Sequence, residues 1–362
     1  MKRFLFCFLV AIIGGRAYSQ ISSCAQTLRL AQSTYEQGRL HELPGLLESC
    51  LKNTGADGFT KDQKVRAYTL LTLAYIYLEE PEKADESMLS LLRTDPYFVP
   101  NPDVDPAEFI GLYKTFRTKP VYRLGAKFSI NATQPNVSQF SPISDGTSKY
   151  AYKLGISLGF AGEIPVNLPF LKNRTTLNPE VYYSSKSFSN QSDAIQGGSS
   201  YSTSSSIESQ SWISVPILLQ YQLRKSNELK KSAKFIDKIN PFISLGVSVD
   251  YLLGAKSDVT QKRVDNQSID VRSETVTFQR EKINLSAMVA GGVKIRFAGG
   301  YLTGEVRYAY GLTKINSPST LYSNQIVLND YKLIDGIFNL NSLFVNVGYV
   351  QNFFNPKKLK RR

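Results

Sequence analysis

Residues 283–312 read INLSAMVAGGVKIRFAGGYLTGEVRYAYGL. The odd-numbered residues from Ile283 to Phe297 are apolar or glycine, whereas the even-numbered ones include Lys294 and Arg296. After the turn at Ala298-Gly299-Gly300 the alternation resumes. Strict period two predicts an antiparallel hairpin with one apolar face and one polar, charged face. The apolar face must meet either a second sheet or lipid.

The same alternation recurs between residues 121 and 353. It is found in VYRLGAKFSINA, YAYKLGISLGF, TTLNPEVYYSS (weaker), SWISVPILLQYQL, PFISLGVSVDYLL and SLFVNVGYVQNFF. With the opening hairpin these segments give eight strands. Most are longer than the roughly 5–6 residues of soluble strands and reach the roughly 9–11 that a tilted membrane strand needs. Pro216 lies inside one of them and predicts a bulge, since proline lacks an N–H.

The ends and connections of these strands decide between a sandwich and a membrane barrel. Aromatic residues gather at strand ends, including Tyr122, Tyr150, Tyr301 and Phe353. Long connections, among them a serine-rich stretch near residues 189–206 and another near 255–280, alternate with shorter ones. Both features are typical of outer-membrane barrels. We therefore predict an α+β multidomain protein in which N-terminal helices precede an eight-stranded antiparallel transmembrane β-barrel, whose apolar face meets lipid.

The chain begins with features of an exported protein. Lys2 and Arg3, an apolar run and a small-residue cleavage site predict a secretory signal peptide over residues 1–19. A buried N-terminal helix is the alternative. After cleavage Cys24 and Cys50 remain, and an even count in an exported chain predicts a disulfide between them. Lipidation of Cys24 stays open as a second reading.

Residues 20–118 have helical rather than strand periodicity. Residues 65–98 resemble one tetratricopeptide repeat, with Tyr68, Leu71, Tyr75, Ala84, Met88, Leu91 and Pro96 at the usual positions of that repeat. Cys24 would begin the first helix of a hairpin and Cys50 would end the second, so the two lie side by side. Helical repeats usually bind partners, although a spacer is the alternative.

The charge is divided between these two parts. Residues 20–118 hold 10 Lys+Arg and 14 Asp+Glu, whereas residues 119–362 hold 30 and 16. The basic half carries no recognised nucleic-acid motif, and we expect no nucleic-acid partner. A basic cluster over residues 224–238 predicts either a contact with anionic lipid headgroups or docking of the acidic helical domain.

Five segments carry a resemblance to a known family. SVPILLQYQL, NPFISLGVSVDYLL, VAGGVKIRF, LTGEVRYAYGLTKI and VNVGYVQNFFNPKKLKRR resemble successive strands of the PorT-like outer-membrane β-barrel family. The resemblance covers residues 119–362. It implies a barrel over residues 119–355 in a Gram-negative outer membrane and an association with secretion or envelope-assembly machinery. With an even strand count, the helical domain and a basic tail, residues 356–362, would both lie in the periplasm.

The polar faces of the strands predict a charged barrel interior. The residues expected to face it are Arg123, Lys127, Lys153, Glu180, Asp250, Lys294, Arg296, Glu305 and Arg307. An eight-stranded barrel is just wide enough to be filled with side chains. We therefore predict an internal ion-pair network rather than the lining of a channel.

The sequence offers little support for catalysis. Gly155-Ile156-Ser157-Leu158-Gly159 matches the nucleophile-elbow pattern, but it lies inside an alternating strand and the single histidine, His41, is in the helical part. We interpret these glycines as relief of crowding in a narrow barrel, and we expect no metal or cofactor. The sequence predicts a non-enzymatic scaffold or assembly component that contacts outer-membrane lipid and other envelope proteins. A pore for small solutes or ligands is the first alternative, and a hydrolase is the second.

Overall fold

The computed structural model describes residues 23–140, 148–168, 174–196, 200–224, 239–262, 271–324, 326, 328 and 333–359. The chain divides into two compact units. The β-unit runs from Pro120 to Phe354, and the helical unit combines the preceding residues with those that follow Phe354. Among the described residues, no helix is long and apolar enough to cross a membrane.

Five α-helices form the described part of the helical unit. They are α1 (Ser23–Glu36), α2 (Leu43–Lys52), α3 (Lys61–Tyr77), α4 (Pro81–Thr94) and α5 (Ala107–Lys114). Helix α3 begins with a capping box in which Thr60 and Gln63 each satisfy the backbone N–H of the other. Pro81 opens α4, where its missing N–H leaves no hydrogen bond unmade.

The helical unit has an apolar interior. One cluster surrounds Leu47 and Ala67, and a second surrounds Leu91 and Phe109. The first cluster includes the predicted disulfide, in which the sulfurs of Cys24 and Cys50 lie 2.04 Å apart. The bond joins the start of α1 to the end of α2.

The C-terminal tail, residues 355–359, contributes to this unit. Phe116 forms an antiparallel bridge with Lys358, flanked by two backbone hydrogen bonds of 2.8 and 2.9 Å that join residues 115–117 to residues 357–359. The predicted division assigned residue 355 to the barrel and treated residues 356–362 as a separate tail. The structure differs because the backbone groups of residues 115–117 find their hydrogen-bond partners in the tail.

Nine strands are seen in the described residues of the β-unit. They are β1 (Tyr122–Gln139), β2 (Lys149–Val166), β3 (Thr175–Gln196), β4 (Ser200–Gln222), β5 (Ile239–Lys262), β6 (Arg272–Thr275), β7 (Ile283–Phe297), β8 (Gly300–Gly311) and β9 (Ile337–Phe353). Eight of these strands, all but β6, pair antiparallel with their neighbours, and β9 pairs with β1 to close the barrel. Short β6 pairs with β5 at Lys256–Val259. The predicted eight-stranded antiparallel barrel is confirmed.

The two faces of the barrel wall are chemically opposite. In β2 the side chains of Ile156, Leu158 and Phe160 are 59–77% exposed, whereas Ser157 and Ala161 are buried. Each of the other seven barrel strands also exposes large apolar side chains, for example Leu124, Val181, Ile217, Leu245, Val289, Val306 and Val345. The wall therefore presents a continuous apolar belt outward, as a membrane barrel requires.

We call the end of the barrel that holds Tyr122 and Phe353 the proximal end, and the opposite end the distal end. Strands β3 and β4 continue in register to Gln196 and Ser200 at the distal end. The sequence predicted a loop near residues 189–206 and another from residue 255, but both begin as regular strand. Both faces of these strands are polar beyond the apolar belt. The sequence therefore no longer alternates between apolar and polar residues, and the strand cannot be recognised from its periodicity.

Three local predictions about the strands were wrong. Pro216 causes no bulge: it pairs in register with Ser248, and the irregularity in the β4–β5 pairing lies at Ser211/Trp212. Tyr150 and Tyr301 do not join an outer aromatic girdle. Tyr301 is 4% exposed, and its ring centroid lies 5.2 Å from the guanidinium of Arg123 inside the barrel. The hydroxyl of Tyr150 accepts a hydrogen bond from the N–H of Gly336.

Candidate functional site: the charged barrel interior

Charged side chains from seven of the eight barrel strands, and from two connections, meet inside the lumen. We call the following twelve residues the lumenal network: Arg123, Lys127, Glu163, Glu180, Lys186, Glu208, Asp250, Arg280, Lys294, Glu305, Arg307 and Asp335. All are buried except Asp335, which is half-buried. They fall into four groups along the barrel, described here from the proximal end to the distal end.

The proximal group is built around Glu163. Strand register places Arg123 of β1 directly beside it, with Nη1 3.4 Å from Oε2. Lys294 of β7 approaches from the far wall, and its Nζ lies 2.6 Å from Oε1. The Nε of Arg123 also donates to the side-chain oxygen of Asn352 at 2.8 Å. One carboxylate therefore joins three strands.

The central group contains two cations and two carboxylates. Glu180 accepts from Lys127 at 2.5 Å and from Arg307 at 2.7 Å. Glu305 pairs with Arg307 and accepts a hydrogen bond from Asn346 at 3.1 Å. The Nζ of Lys127 lies 3.6 Å from Glu305, so the four charges form a closed ring of ion pairs. Charge-assisted contacts of this kind are the strongest hydrogen bonds in proteins.

The third group pairs Lys186 of β3 with Asp250 of β5 at 2.8 Å. Asp250 also accepts hydrogen bonds from Ser248 at 2.7 Å and from Asn284 at 3.1 Å. The Nζ of Lys186 lies 5.4 Å from the centroid of the buried Trp212 ring. The pair is therefore held by neighbours on both sides, which a buried ion pair needs to offset its desolvation.

The distal group ties a connecting segment to the wall. Arg280 donates to both oxygens of Glu208 at 2.8 and 2.5 Å and to Asp335 at 2.5 Å. Asp335 precedes β9, and nearby Asn316 donates to the carbonyl of Gly336 at 2.7 Å. The described parts of the β8–β9 connection thus enter the distal end of the barrel and are fixed there by an arginine between two carboxylates.

The lumenal network balances its own charge. Its cations are Arg123, Lys127, Lys186, Arg280, Lys294 and Arg307, and its six other members are carboxylates. Removing one partner from a buried ion pair costs more than the pair contributes, because an uncompensated charge remains in a low-dielectric interior. The network is therefore expected to stabilise the barrel only when all of its charges are present.

Little space remains between these side chains. One interior cavity, of about 20 Å³, is lined by Arg307, Lys186 and Asp250 of the network and by the polar side chains of Tyr182 and Ser214. A second cavity of about 20 Å³ lies beside Arg280 and Asp335. Each has room for about one water molecule. A water in the first could satisfy the Tyr182 hydroxyl and the Ser214 hydroxyl, neither of which has a hydrogen-bond partner among the protein atoms.

The structure brings seven of the nine predicted interior charges into the network: Arg123, Lys127, Glu180, Asp250, Lys294, Glu305 and Arg307. Lys153 was predicted to face the barrel interior, but it is exposed. It lies where the pairing of β2 with β3 is interrupted, between Tyr152 and Ser157. Arg296 is half-buried near the end of β7, on the same face of the strand as Lys294, so its predicted place in the interior stays a prediction.

Five members of the network were not predicted from the sequence: Glu163, Lys186, Glu208, Arg280 and Asp335. All five lie beyond the ends of the segments that alternate clearly. The excess of cations among the predicted interior residues, six against three carboxylates, was the available signal that further carboxylates had to face the lumen.

The elbow-like glycines have a packing role. Gly159 stands between Lys127 on β1 and Tyr182 on β3, and a side chain there would place its Cβ 2.6 Å from the Tyr182 ring. A Cβ at Gly155 would lie 2.8 Å from the side-chain oxygen of Asn131. Ser157 lies inside a strand, and His41 is exposed in the helical unit. The described residues therefore present no strand–turn–helix elbow around Ser157.

The described residues contain no group of three His, Cys, Asp or Glu side chains placed to hold a metal ion. The basic cluster predicted over residues 224–238 lies, apart from Arg224, outside the described residues. The docking hypothesis for that cluster therefore stays a prediction.

Comparison with known proteins assigns the family. The family model for the outer membrane protein beta-barrel domain matches residues 121–317, more than half of the chain. The chain therefore belongs to this family of outer-membrane β-barrel proteins, which places it in the outer membrane of a Gram-negative bacterium. The match is to the barrel domain in general and does not reach the helical unit.

Solved barrels give weak matches. OprG from Pseudomonas aeruginosa is 13% identical, with 66% of this chain and 97% of that chain covered and a TM-score of 0.33. Neisserial surface protein A is 10% identical over 64% and 97%, with a TM-score of 0.30, and Ail of Yersinia pestis is 8% identical over 64% and 99%, with a TM-score of 0.26. No curated protein matches.

Proposed function

We propose that this protein is a non-enzymatic anchor for an envelope assembly, in which the barrel holds the chain in the outer membrane and the helical unit recruits partners. The observation that carries the proposal is the filled lumen. Eleven of the twelve network charges are buried and compensated, and two cavities between the described interior side chains each have room for about one water. A conducting pore needs a continuous aqueous path, which this packing opposes.

The helical unit supplies a suitable recruiting surface. In the α3–α4 hairpin, Leu71, Ala84, Met88 and Leu91 are each buried, which supports the tetratricopeptide-like pattern. Exposed carboxylates such as Glu82 and Glu86 remain on its surface. The PorT-like resemblance adds support for a partner in a secretion or envelope-assembly complex, reached through the helices or the distal loops.

The strand count supports an orientation in the membrane. An even number of strands returns both chain ends to the proximal side, and the longest paired strands extend from the distal side. Outer-membrane barrels carry their larger loops on the cell surface. We therefore place the helical unit and the C-terminal tail in the periplasm.

The test is affinity purification of the tagged full chain from detergent-solubilised outer membranes, with co-purifying proteins identified by mass spectrometry. We expect a stoichiometric partner set that is lost in a Glu82→Lys/Glu86→Lys variant. The matched control carries Lys153→Glu and Lys256→Glu on the exposed barrel wall, and it should retain the partners. A partner-free barrel would contradict the recruiting role.

Conductance separates the anchor from the pore. The purified full-length protein, inserted into planar bilayers, is expected to conduct no ionic current. Sustained single-channel currents in the wild-type protein would favour the solute or ligand pore instead.

A further inference from the structure

The C-terminal tail occupies a strand-accepting edge on the helical unit. The N–H of Arg117 donates to the carbonyl of Lys357 at 2.9 Å, and the N–H of Leu359 donates to the carbonyl of Thr115 at 2.8 Å. This pattern is that of an antiparallel ribbon, in which an extended segment satisfies an otherwise unpaired backbone edge.

Side chains reinforce the ribbon from both strands. The guanidinium of Arg117 donates twice to the carbonyl of Asn355, at 2.6 and 3.0 Å. Lys358 forms an ion pair with Asp85 on α4. Phe116, at the centre of the ribbon, is 4% exposed and packs in the apolar cluster around Leu91 and Phe109. The tail is therefore bonded through its backbone to a segment, residues 115–117, whose Phe116 packs in the core of the helical unit.

The same two chain segments also close the barrel. Tyr122 pairs with Phe353 at the proximal end of the β1–β9 seam, and the N–H of Val121 donates to the carbonyl of Phe353 at 2.9 Å. The seam partners lie roughly 230 residues apart in the chain, so their pairing carries a large loop-closure cost. Only four residues separate Arg117 from Tyr122, and only three separate Phe353 from Lys357.

We propose that residues 355–359 act as a clasp, a built-in strand ligand of the helical unit that makes completion of this unit and closure of the barrel seam one cooperative event. When one of the two pairings has formed, the short links hold the two segments of the other pairing close together. This raises the effective concentration of each segment for its partner. The helical unit is then complete only when residues 355–359 have paired with residues 115–117, and its completion stabilises the seam.

The experiment uses the full-length protein folded in detergent micelles. Barrel unfolding is followed by the temperature at which the folded band is lost on electrophoresis, and helix unfolding is followed by circular dichroism. Truncation after Phe354 is expected to lower both unfolding temperatures. Asp85→Lys should lower both by about 2–4 °C, and the double reversal Asp85→Lys/Lys358→Asp should recover most of that loss.

Lys357→Ala is the control, since it removes a positive charge from the residue next to Lys358 and leaves both the backbone pairing and the ion pair of Lys358 with Asp85 intact. It should leave both temperatures unchanged. If the truncated chain fails to assemble, the charge-reversal series alone decides. The clasp is overturned if Asp85→Lys lowers only the helix transition, because the tail would then stabilise the helical unit without any effect on the seam.

Discussion

The helical unit and the barrel bury opposite kinds of side chain. Around Leu47 and Leu91 the helical unit encloses apolar side chains and a disulfide, and its charges face outward. The barrel exposes its apolar side chains and encloses the lumenal network. The difference shows that the medium outside decides what an interior must be: water drives apolar groups inward, whereas lipid accepts them and forces charges to find partners inside.

The two interiors should therefore fail in different ways. Apolar packing is non-directional and tolerates changes of similar volume. An ion-pair network depends on each member, because every loss leaves a buried charge without a partner.

The largest effect is expected at the centre of the lumenal network. Glu180→Ala removes the carboxylate shared by Lys127 and Arg307, and it should destabilise the barrel by about 3–5 kcal/mol. Urea unfolding of the purified barrel, followed by electrophoretic mobility, measures the loss. Lys153→Ala is the control, because Lys153 is exposed, and it should change stability by less than about 0.5 kcal/mol. Equal losses in the two variants would contradict the importance of the network.

The disulfide should give the next largest effect, confined to the helical unit. Replacing Cys24 and Cys50 by serine frees a loop with a sequence separation of 26. In the chain-entropy description this costs about 3 kcal/mol. Urea unfolding followed by circular dichroism should show an earlier helix transition, and the barrel transition serves as the internal control. A helix transition that does not move would refute the structural role of the bond.

A smaller gain is expected where α3 ends. Glu79 has a φ of 59°, in the left-handed region, and the N–H of Glu80 bonds to the carbonyl of Tyr75 at 2.9 Å. Glycine is favoured at this position because it has no Cβ. Glu79→Gly should stabilise the helical unit by about 1 kcal/mol in chemical denaturation. Glu82→Gly within α4 should instead destabilise it by about 1 kcal/mol. A loss of stability in both variants would be inconsistent with strain at Glu79.

The smallest effect concerns alkaline pH. Burial raises the pKa of Tyr35, Tyr75 and Tyr113 above the usual value of 10.0. Each phenol binds its proton more tightly in the folded state, so the stabilisation is complete below pH 10 and is lost as pH rises through the folded pKa. Thermal unfolding of the helical unit should therefore occur at lower temperature at pH 11 than at pH 9. Tyr113→Phe should weaken this dependence, and a flat pH profile in the wild type would count against it.

The sequence predicted the barrel and most of its inner face because lipid sharpens the alternation. Where the outer face must be apolar and the inner face polar, as from Ile283 to Phe297, period two assigns each side chain to a face. This placed Lys127, Glu180 and Arg307 inside the barrel. The disulfide could be predicted as well, because an even cysteine count in a chain with export features and the adjacent ends of two helices both favour it.

The remaining charges could not be placed for a physical reason. Glu208 and Lys186 lie where the strands leave the apolar belt, and alternation carries no signal when both faces are polar. Arg280 and Asp335 lie in connections whose paths depend on tertiary contacts. Lys153 was placed wrongly because alternation gives the face of a strand but not where its pairing is interrupted.

The long β3–β4 pairing has a consequence for the order of folding. Three residues separate the two strands, and their register runs without a shift from Gln196↔Ser200 to Thr175↔Tyr221. Contacts between residues close in the chain form early, because little loop entropy is lost before they form. The strands of the β1–β9 seam, by contrast, are far apart in the chain, so their pairing loses much more loop entropy. Barrel assembly should therefore begin with the serine-rich hairpin and end at the seam, so that the slow step is the meeting of the first and last strands.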